Sequence, residues 1–238
     1  MDVLFVLDCT ASMTPWIRAA QNQVRRTLDS LQVEHPDTNF RGGLIVYRDY
    51  GDEVMSRVLG FTSNLQRLET VLNEEYAEGG DDDAEDLTGA LWTAARMDWE
   101  SPIRHVFVIT DAPAHGERYH TLHVSDRFPE GDPQGRVLEN EVERLARANV
   151  NMTFIRIHSR TDALISILSR VYTTTYPRTA EFHVEELVPQ HRLPPPMAFG
   201  RHEMPVGDEE TVASPDAVLS RAVSRAVTQS LSVYDRSD

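Results

Sequence analysis

MDVLFVLDCTAS, at residues 1–12, joins a short apolar run to a cluster of small polar side chains. The run at residues 3–7 is continuous rather than alternating, which is typical of a strand buried on both faces of a sheet. Three similar runs rich in Val, Ile or Phe lie at residues 43–47, 105–110 and 152–157. We therefore predict four core strands, each short enough to cross one domain.

Amphipathic helices are predicted between these strands. Apolar residues spaced by three or four form stripes over residues 15–33, 87–95 and 138–145. The alternation predicts an α/β, Rossmann-like, doubly wound fold, with a mostly parallel sheet and helices on both faces. Residues 53–61 follow a turn-rich connection and are predicted to form one antiparallel edge strand, and residues 180–187 a sixth strand.

The C-terminal part of the chain has a different composition. Residues 191–216 contain clustered prolines and are expected to form an irregular segment. Residues 217–238 carry another apolar stripe, which predicts a helix that packs back on the domain. These boundaries leave residues 1–190 as the main domain.

Composition limits the classes of partner. The 238 residues contain 38 acids and 23 bases, and the net charge is −15. A field of that sign repels nucleic acid and anionic lipid and favours cations or basic partners. All the bases are arginine, which removes every mechanism that needs a lysine amine.

The expected compartment is cytoplasmic. One cysteine, Cys9, permits no intramolecular disulfide, which favours a reducing environment. The N-terminus lacks the basic start and longer apolar core of a secretory signal, and no stretch approaches 18 apolar residues. We therefore expect a soluble protein with no membrane partner.

Polar residues that follow two of the predicted strands are candidate metal ligands. Asp8, Thr10 and Ser12 alternate after the first strand, so that in an extended loop their oxygens point the same way. Asp111 follows the strand at 105–110. In doubly wound sheets that strand lies beside the first one, which brings Asp111 next to Asp8.

An acidic loop lies between these motifs in the sequence. Residues 79–86 read GGDDDAED and open a predicted helix. Two carboxylates 4 Å apart repel by up to about 4 kcal/mol at an effective dielectric near 20, and a cation would relieve that repulsion. Oxygen ligands from three loops suit Mg²⁺, Mn²⁺ or Ca²⁺. Alternatively, the acids favour the helix N-terminus, and Thr10 or Ser12 caps a helix that begins near residue 15.

These motifs together resemble the metal-ion-dependent adhesion site of von Willebrand factor A (vWA) domains. DCTAS is similar to that family's DxSxS signature, with threonine for the first serine. The glycine-led acidic loop with TGAL resembles its second metal loop, and ITDA its terminal aspartate. The vWA domains associated with atypical alpha-kinases are more similar still, at VxDCTxSM, at Tyr47-Arg48-Asp49, at GGDDDAED and at DAPAHG (residues 111–116).

The resemblance implies a fold and a function. It implies direct coordination of one divalent metal by Thr10 and Ser12, with support from Asp8 and Asp111, often through water. It also implies a protein partner that binds in a metal-dependent way. In the usual site an acidic residue of the partner completes the metal's shell.

The second loop departs from the family pattern. Most vWA domains place a threonine there, whereas this loop offers Asp82, Asp83 or Glu85. Counting back from Leu91 favours Glu85, the alpha-kinase pattern favours Asp82, and Thr88 is a third candidate. A carboxylate in this position would strengthen metal binding and reduce the attraction for an acidic partner residue.

Other residues near these motifs have ordinary interpretations. Cys9 is expected to be a small buried hydrophobic residue. His115, His120 and His123 could form a zinc set, but their mixed spacing favours hydrogen bonding in loops. Asp49 is either a turn residue or a support for the metal ligands.

Three functions are compatible with some of these sequence features. A non-enzymatic, metal-dependent protein-binding module is favoured, and any kinase activity would lie outside this chain. A phosphoryl-transfer or hydrolase-like enzyme with Asp8 as nucleophile is disfavoured, because such enzymes need a lysine and no GxxxxGK[ST] motif is present. A scaffold that uses its metal only for stability is the third.

Overall fold

A six-stranded sheet forms the centre of the computed structural model, which describes residues 1–34, 38–121 and 123–186. The strand order is β3-β2-β1-β4-β5-β6. Only β3 runs antiparallel, at one edge beside β2, and the other neighbours are parallel. The predicted mostly parallel sheet with one antiparallel edge strand is therefore confirmed. The strands are β1 (Asp2–Asp8), β2 (Arg41–Tyr47), β3 (Ser56–Thr62), β4 (Arg104–Thr110), β5 (Val150–Arg156) and β6 (Phe182–Glu186).

Helices cover both faces of this sheet. The side chains of β1 alternate between two cores: Val3, Phe5 and Leu7 pack with α1 and α2, whereas Leu4 and Val6 pack with α3, α4 and α5. This alternation explains the continuous apolar run, because both faces of β1 are buried. The helices are α1 (Ile17–Glu34), α2 (Leu65–Glu74), α3 (Leu87–Ala94), α4 (Leu138–Arg147) and α5 (Asp162–Thr174).

Three of these helices, α1, α3 and α4, were predicted from the sequence, and α2 and α5 were not. Among the described residues, no helix is long and apolar enough to cross a membrane. The segments at residues 191–216 and 217–238, predicted to be irregular and helical, lie outside the described residues.

A buried carboxylate joins three parts of the chain at the amino end of the sheet. Asp2 accepts two hydrogen bonds from the Arg41 guanidinium, at 2.8 and 2.7 Å. It also accepts hydrogen bonds from the Glu100 and Ser101 backbone amides and from the Ser101 hydroxyl. Although burial opposes ionisation, these donors lower the pKa of Asp2 to about 2. The ionised carboxylate therefore stabilises the fold.

We expect Asp2→Asn to lower the free energy of unfolding by about 2–3 kcal/mol at neutral pH, because charged hydrogen bonds are lost. The folded pKa lies below the ordinary 3.8, so this contribution is complete above pH 3.8 and lost as the pH falls through about 2. Urea denaturation of both proteins at several pH values measures it. Asp162→Asn, which breaks a more exposed pair with Arg156, is the control. Equal stabilities of Asp2→Asn and wild type at neutral pH would contradict the assignment.

Candidate metal centre

Three loops meet at the carboxyl end of the sheet. Because β1 and β4 are parallel neighbours, the loops that follow them leave the sheet side by side. The Ala11 amide donates to the Gly79 carbonyl at 3.1 Å, which ties the loop after β1 to the glycine turn. The Glu85 amide donates to the Pro113 carbonyl at 3.0 Å, which ties the acidic loop to the loop after β4. Backbone hydrogen bonds thus fix all three loops relative to one another.

Four of the residues predicted as ligands form one network of hydrogen bonds and close contacts. One Asp8 oxygen accepts from the Thr10 amide at 2.9 Å and from its hydroxyl at 2.7 Å, and the other accepts from the Thr110 hydroxyl at 2.7 Å. The Thr10 and Ser12 hydroxyl oxygens are 3.4 Å apart. The Ser12 hydroxyl donates to Asp111 Oδ1 at 2.7 Å. Both hydroxyl protons point to the carboxylates, so the Thr10–Ser12 approach is a contact between two oxygens that joins two hydrogen-bonded pairs.

The alternating pattern predicted an extended loop after β1, but the loop is extended only in part. Thr10 is extended, but Ala11–Met13 forms a turn of 3₁₀ helix. The hydroxyls of Thr10 and Ser12 still approach each other, because the turn begins directly after Thr10. Within the described chain, the Thr10 side chain makes no capping hydrogen bond to this turn, and its hydroxyl donates to Asp8 instead.

The carboxylates of this network carry unfavourable charge. Asp8 is fully buried, and burial together with the charge of Asp111 raises its pKa to about 6. Arg160 contacts Asp111 at two points, through Nη2 to the carboxylate at 2.6 Å and through Nε to the carbonyl at 2.7 Å. The third nitrogen of the same guanidinium, Nη1, donates to Asp83 Oδ1 at 3.0 Å. Arg160 thus holds Asp111 in place from outside the network.

Glu85 lies against the Thr10 side of the network. It is 2% exposed, and burial, followed by the charges of Asp8 and Asp49, raises its pKa to about 10. Its Oε2 atom is buried and has no hydrogen-bond partner among the described residues. Gly80 has a φ of +77°, and a Cβ there would lie 2.7 Å from Glu85 Oε1 and 3.1 Å from Thr10 Cβ. Glycine therefore permits the close approach of Glu85 and Thr10.

The structure places Asp82 and Thr88 in other surroundings. One potential ligand atom from each of Asp82, Asp49 and His115 lies within 4.8 Å of the other two. The Arg127 amide donates to Asp82 Oδ2. Thr88 is buried in α3 and lines a cavity together with Tyr119 and Arg136. Of the three second-loop candidates, Glu85 is thus the one that lies beside Thr10 and Asp8.

The structure agrees with the interpretation of Cys9 as a small buried residue and of the loop histidines as hydrogen-bonding groups. Cys9 is fully buried in the core that contains α1, and burial raises the pKa of its thiol. His115 Nδ1 and His120 Nε2 bond the two carboxylate oxygens of Asp126, at 2.8 and 2.9 Å. Loop hydrogen bonding thus accounts for these contacts.

Sequence reasoning missed Arg160 and the partners of Asp49. Arg160 follows β5 and is separated from Asp111 by 49 positions, and no local pattern connects the two. Asp49 is 1% exposed and lies 2.6 Å from His115 Nε2. Its position just after β2, at the carboxyl end of the sheet, was the available signal.

Comparison with known proteins identifies relatives of this chain. A family model described as "von Willebrand factor A domain" matches residues 2–126, which is more than half of the chain. The alpha-protein kinase vwkA of Dictyostelium discoideum is 32% identical over 161 residues, which cover 66% of this chain and 25% of that protein. The chain therefore spans about a quarter of the length of that kinase.

Solved structures share the fold at low sequence identity. The VWA domain of SpRpn10 matches with a TM-score of 0.53 and 12% identity, over 79% of this chain and 89% of that one. The hypothetical protein BatB of Bacteroides thetaiotaomicron matches with 0.55 and 13%, over 99% of both chains. The pilus adhesin SpaC of Lactobacillus rhamnosus GG matches with 0.57 and 13%, over 97% of this chain and 30% of that one. From the family model and the shared fold together, we conclude that the chain belongs to the von Willebrand factor A domain family.

Proposed function

We propose that this domain is a protein-binding module whose binding depends on one divalent cation. Domains of this family are commonly metal-dependent protein-interaction modules. We propose Thr10, Ser12 and Glu85 as direct ligands, with Asp8 and Asp111 as supporting carboxylates that act through water or by orienting the hydroxyls. The observation that carries the proposal is the convergence of Asp8, Thr10, Ser12 and Asp111, with the unpaired Glu85 Oε2 atom beside them.

The residues present fit a hard cation. All the donors are hydroxyl or carboxylate oxygens, which suit Mg²⁺, Mn²⁺ or Ca²⁺. An unpaired buried carboxylate oxygen such as Glu85 Oε2 is costly unless a positive charge compensates it. We propose Mg²⁺ as the resident ion, because it binds through a few carboxylates and keeps several waters.

One side of the proposed site faces solvent. Ser12 is exposed, whereas Asp8, Thr10, Glu85 and Asp111 are buried. A partner would therefore reach the cation past Ser12. When bound, the metal would supply a positive charge and open coordination positions to an oxygen of the partner.

The negative charge of the site determines whether the cation would favour a charged or a neutral oxygen of the partner. Asp8, Glu85 and Asp111 together provide more negative charge than one divalent cation carries, although Arg160 offsets the charge of Asp111. We therefore propose that the partner need not contribute an acidic residue, and that a carbonyl or hydroxyl oxygen completes the shell. This distinguishes the domain from vWA sites in which the second loop supplies a neutral threonine.

An enzymatic role for Asp8 fits the geometry less well. A nucleophilic carboxylate needs an oxygen that a substrate can approach. Asp8 is fully buried, and both of its oxygens accept hydrogen bonds from threonine hydroxyls. The contacts support a role in holding Thr10 in place.

The scaffold alternative is separated by measuring stability and binding on the same samples. We expect a chelator to lower both the melting temperature and the affinity for a partner isolated with Mg²⁺ present. We expect Ser12→Ala to reduce partner affinity at least roughly tenfold with little loss of stability, because Ser12 is an exposed ligand. Ser166→Ala, an exposed serine on α5, is the matched control. If chelation lowers the melting temperature but leaves partner affinity unchanged, the metal is structural only.

A further inference from the structure

A second group of potential metal ligands lies beside the proposed magnesium site. Asp49 follows β2, His115 lies in the loop after β4, and Asp82 belongs to the acidic loop. One ligand atom from each lies within 4.8 Å of the other two. Asp49 and His115 are almost fully buried, at 1% and 2% exposed. We propose that these three residues bind a divalent transition-metal ion of the Zn²⁺ class, separately from the magnesium site.

Unpaired buried oxygens give independent support for a cation here. Asp49 Oδ2 and Asp82 Oδ1 are buried without a hydrogen-bond partner among the described residues. Buried polar atoms in folded proteins are nearly always paired. The unpaired oxygens of Asp49 and Asp82 are therefore available as ligand atoms for a cation.

His115 lies between two carboxylates, one beside each ring nitrogen. Its Nδ1 atom lies 2.8 Å from Asp126 Oδ1, and its Nε2 atom lies 2.6 Å from Asp49 Oδ1. Asp126 is itself held by the Gly116 and Phe128 amides, at 2.7 and 2.8 Å. A fixed carboxylate on one ring nitrogen commonly directs the other nitrogen at a metal. A metal ion would replace the proton that His115 Nε2 shares with Asp49.

Arginines in the surrounding loops are paired outside this group of residues. Arg48, Arg127 and Arg160 each contact a carboxylate that is not part of it. These partners are Glu75 and Glu78 for Arg48, Asp81 for Arg127, and Asp83 and Asp111 for Arg160. Among the described ion pairs, the partner of Asp49 is His115, which also pairs with Asp126.

The donor set distinguishes this position from the magnesium site. It contains an imidazole nitrogen, a donor that suits Zn²⁺, Fe²⁺ or Ni²⁺, whereas Mg²⁺ prefers oxygen ligands. Three protein ligands of the His and Asp type leave a coordination position open to water. The two sites should therefore be filled by different ions from a mixture.

Titration of the full chain with Zn²⁺ in excess Mg²⁺ tests the proposal. Calorimetry should show one Zn²⁺ bound per chain, and Co²⁺ as a spectroscopic probe should show absorption typical of nitrogen and oxygen ligation. We expect Asp49→Asn and His115→Gln to reduce Zn²⁺ affinity roughly a hundredfold. His183→Gln, which removes another histidine that contacts a carboxylate, should bind like wild type.

The two sites can fail independently. Asp111→Ala should weaken Mg²⁺ binding and leave Zn²⁺ affinity unchanged. Asp49→Asn should weaken Zn²⁺ binding and leave Mg²⁺ affinity unchanged. Circular dichroism shows whether each variant folds, and Asp82→Asn, at a half-buried loop position, replaces any variant that does not. Unchanged Zn²⁺ affinity in folded Asp49→Asn or Asp82→Asn would overturn the second site and leave the first intact.

Discussion

Replacing Asp111 with alanine is expected to weaken Mg²⁺ binding at least tenfold while the protein stays folded. Asp111 accepts a hydrogen bond from the Ser12 hydroxyl at 2.7 Å. The substitution therefore removes both a negative charge and the group that orients Ser12. Loss of a group that orients or supports a ligand typically costs tenfold to a hundredfold in metal affinity. Metal-free stability should change little, because losing the Arg160 contact is offset by relief of the repulsion that raises the pKa of Asp8. Calorimetric titration with Mg²⁺ measures the affinity.

Asp83→Ala is the matched control for this substitution. Asp83 accepts a hydrogen bond from the same Arg160 guanidinium but lies outside the hydroxyl network. It should therefore retain Mg²⁺ affinity close to that of wild type. Equal Mg²⁺ affinity in Asp111→Ala and wild type would refute the assignment of Asp111, and equal losses in both variants would point to Arg160 instead.

Glu85→Gln is expected to remove most Mg²⁺ binding without destabilising the metal-free protein. Burial and the neighbouring acids raise the pKa of Glu85 to about 10, so in the metal-free protein the carboxyl group carries a proton at neutral pH. Glutamine is a close substitute for that neutral form. With metal bound, the ionised carboxylate supplies a charge that glutamine lacks. We therefore expect roughly a tenfold or greater loss of affinity, and a smaller rise in melting temperature when Mg²⁺ is added.

The pH dependence gives this prediction a sign. If Glu85 must release its proton to bind metal, the Mg²⁺ affinity of wild type rises by up to roughly tenfold per pH unit below the pKa. Glu85→Gln should show a flatter dependence. Because the folded pKa is raised above 4.5, metal-free stability from this group is present below pH 4.5 and lost as the pH rises towards 10. Glu78→Gln, which changes an exposed acid near the glycine turn, is the control. If Mg²⁺ affinity depends on pH in the same way in Glu85→Gln and in wild type, the role of Glu85 is contradicted.

Much of the fold could be predicted from the sequence. The runs that became β1, β2, β4 and β5 are mostly apolar without alternation because both faces of these strands are buried, and β3 was predicted by the turn that precedes it. The helices α2 and α5 were missed, although Leu68 and Leu72, and Leu164 and Leu168, repeat at helical spacing and are buried. Their short stripes lie beside polar segments, where the pattern is weaker.

The candidate site was less predictable than the sheet. The approach of Asp8 and Asp111 follows from the pairing of β1 with β4 and could be predicted. The choice between Asp82 and Glu85 could not, because spacing in an irregular loop does not determine which side chain turns inward. Here the contact between the Glu85 amide and Pro113 sets that direction. The metal roles of all these residues stay predictions.

The position of Arg160 has a mechanical consequence. Its guanidinium binds the loop after β4 through Asp111 and the acidic loop through Asp83, so these two loops cannot shift independently. Arg160 thus adds a side-chain connection to the backbone hydrogen bond from Glu85 to Pro113 that already joins these loops. By thermodynamic reciprocity, if binding at one loop raises the affinity at the other, the converse effect has the same coupling free energy.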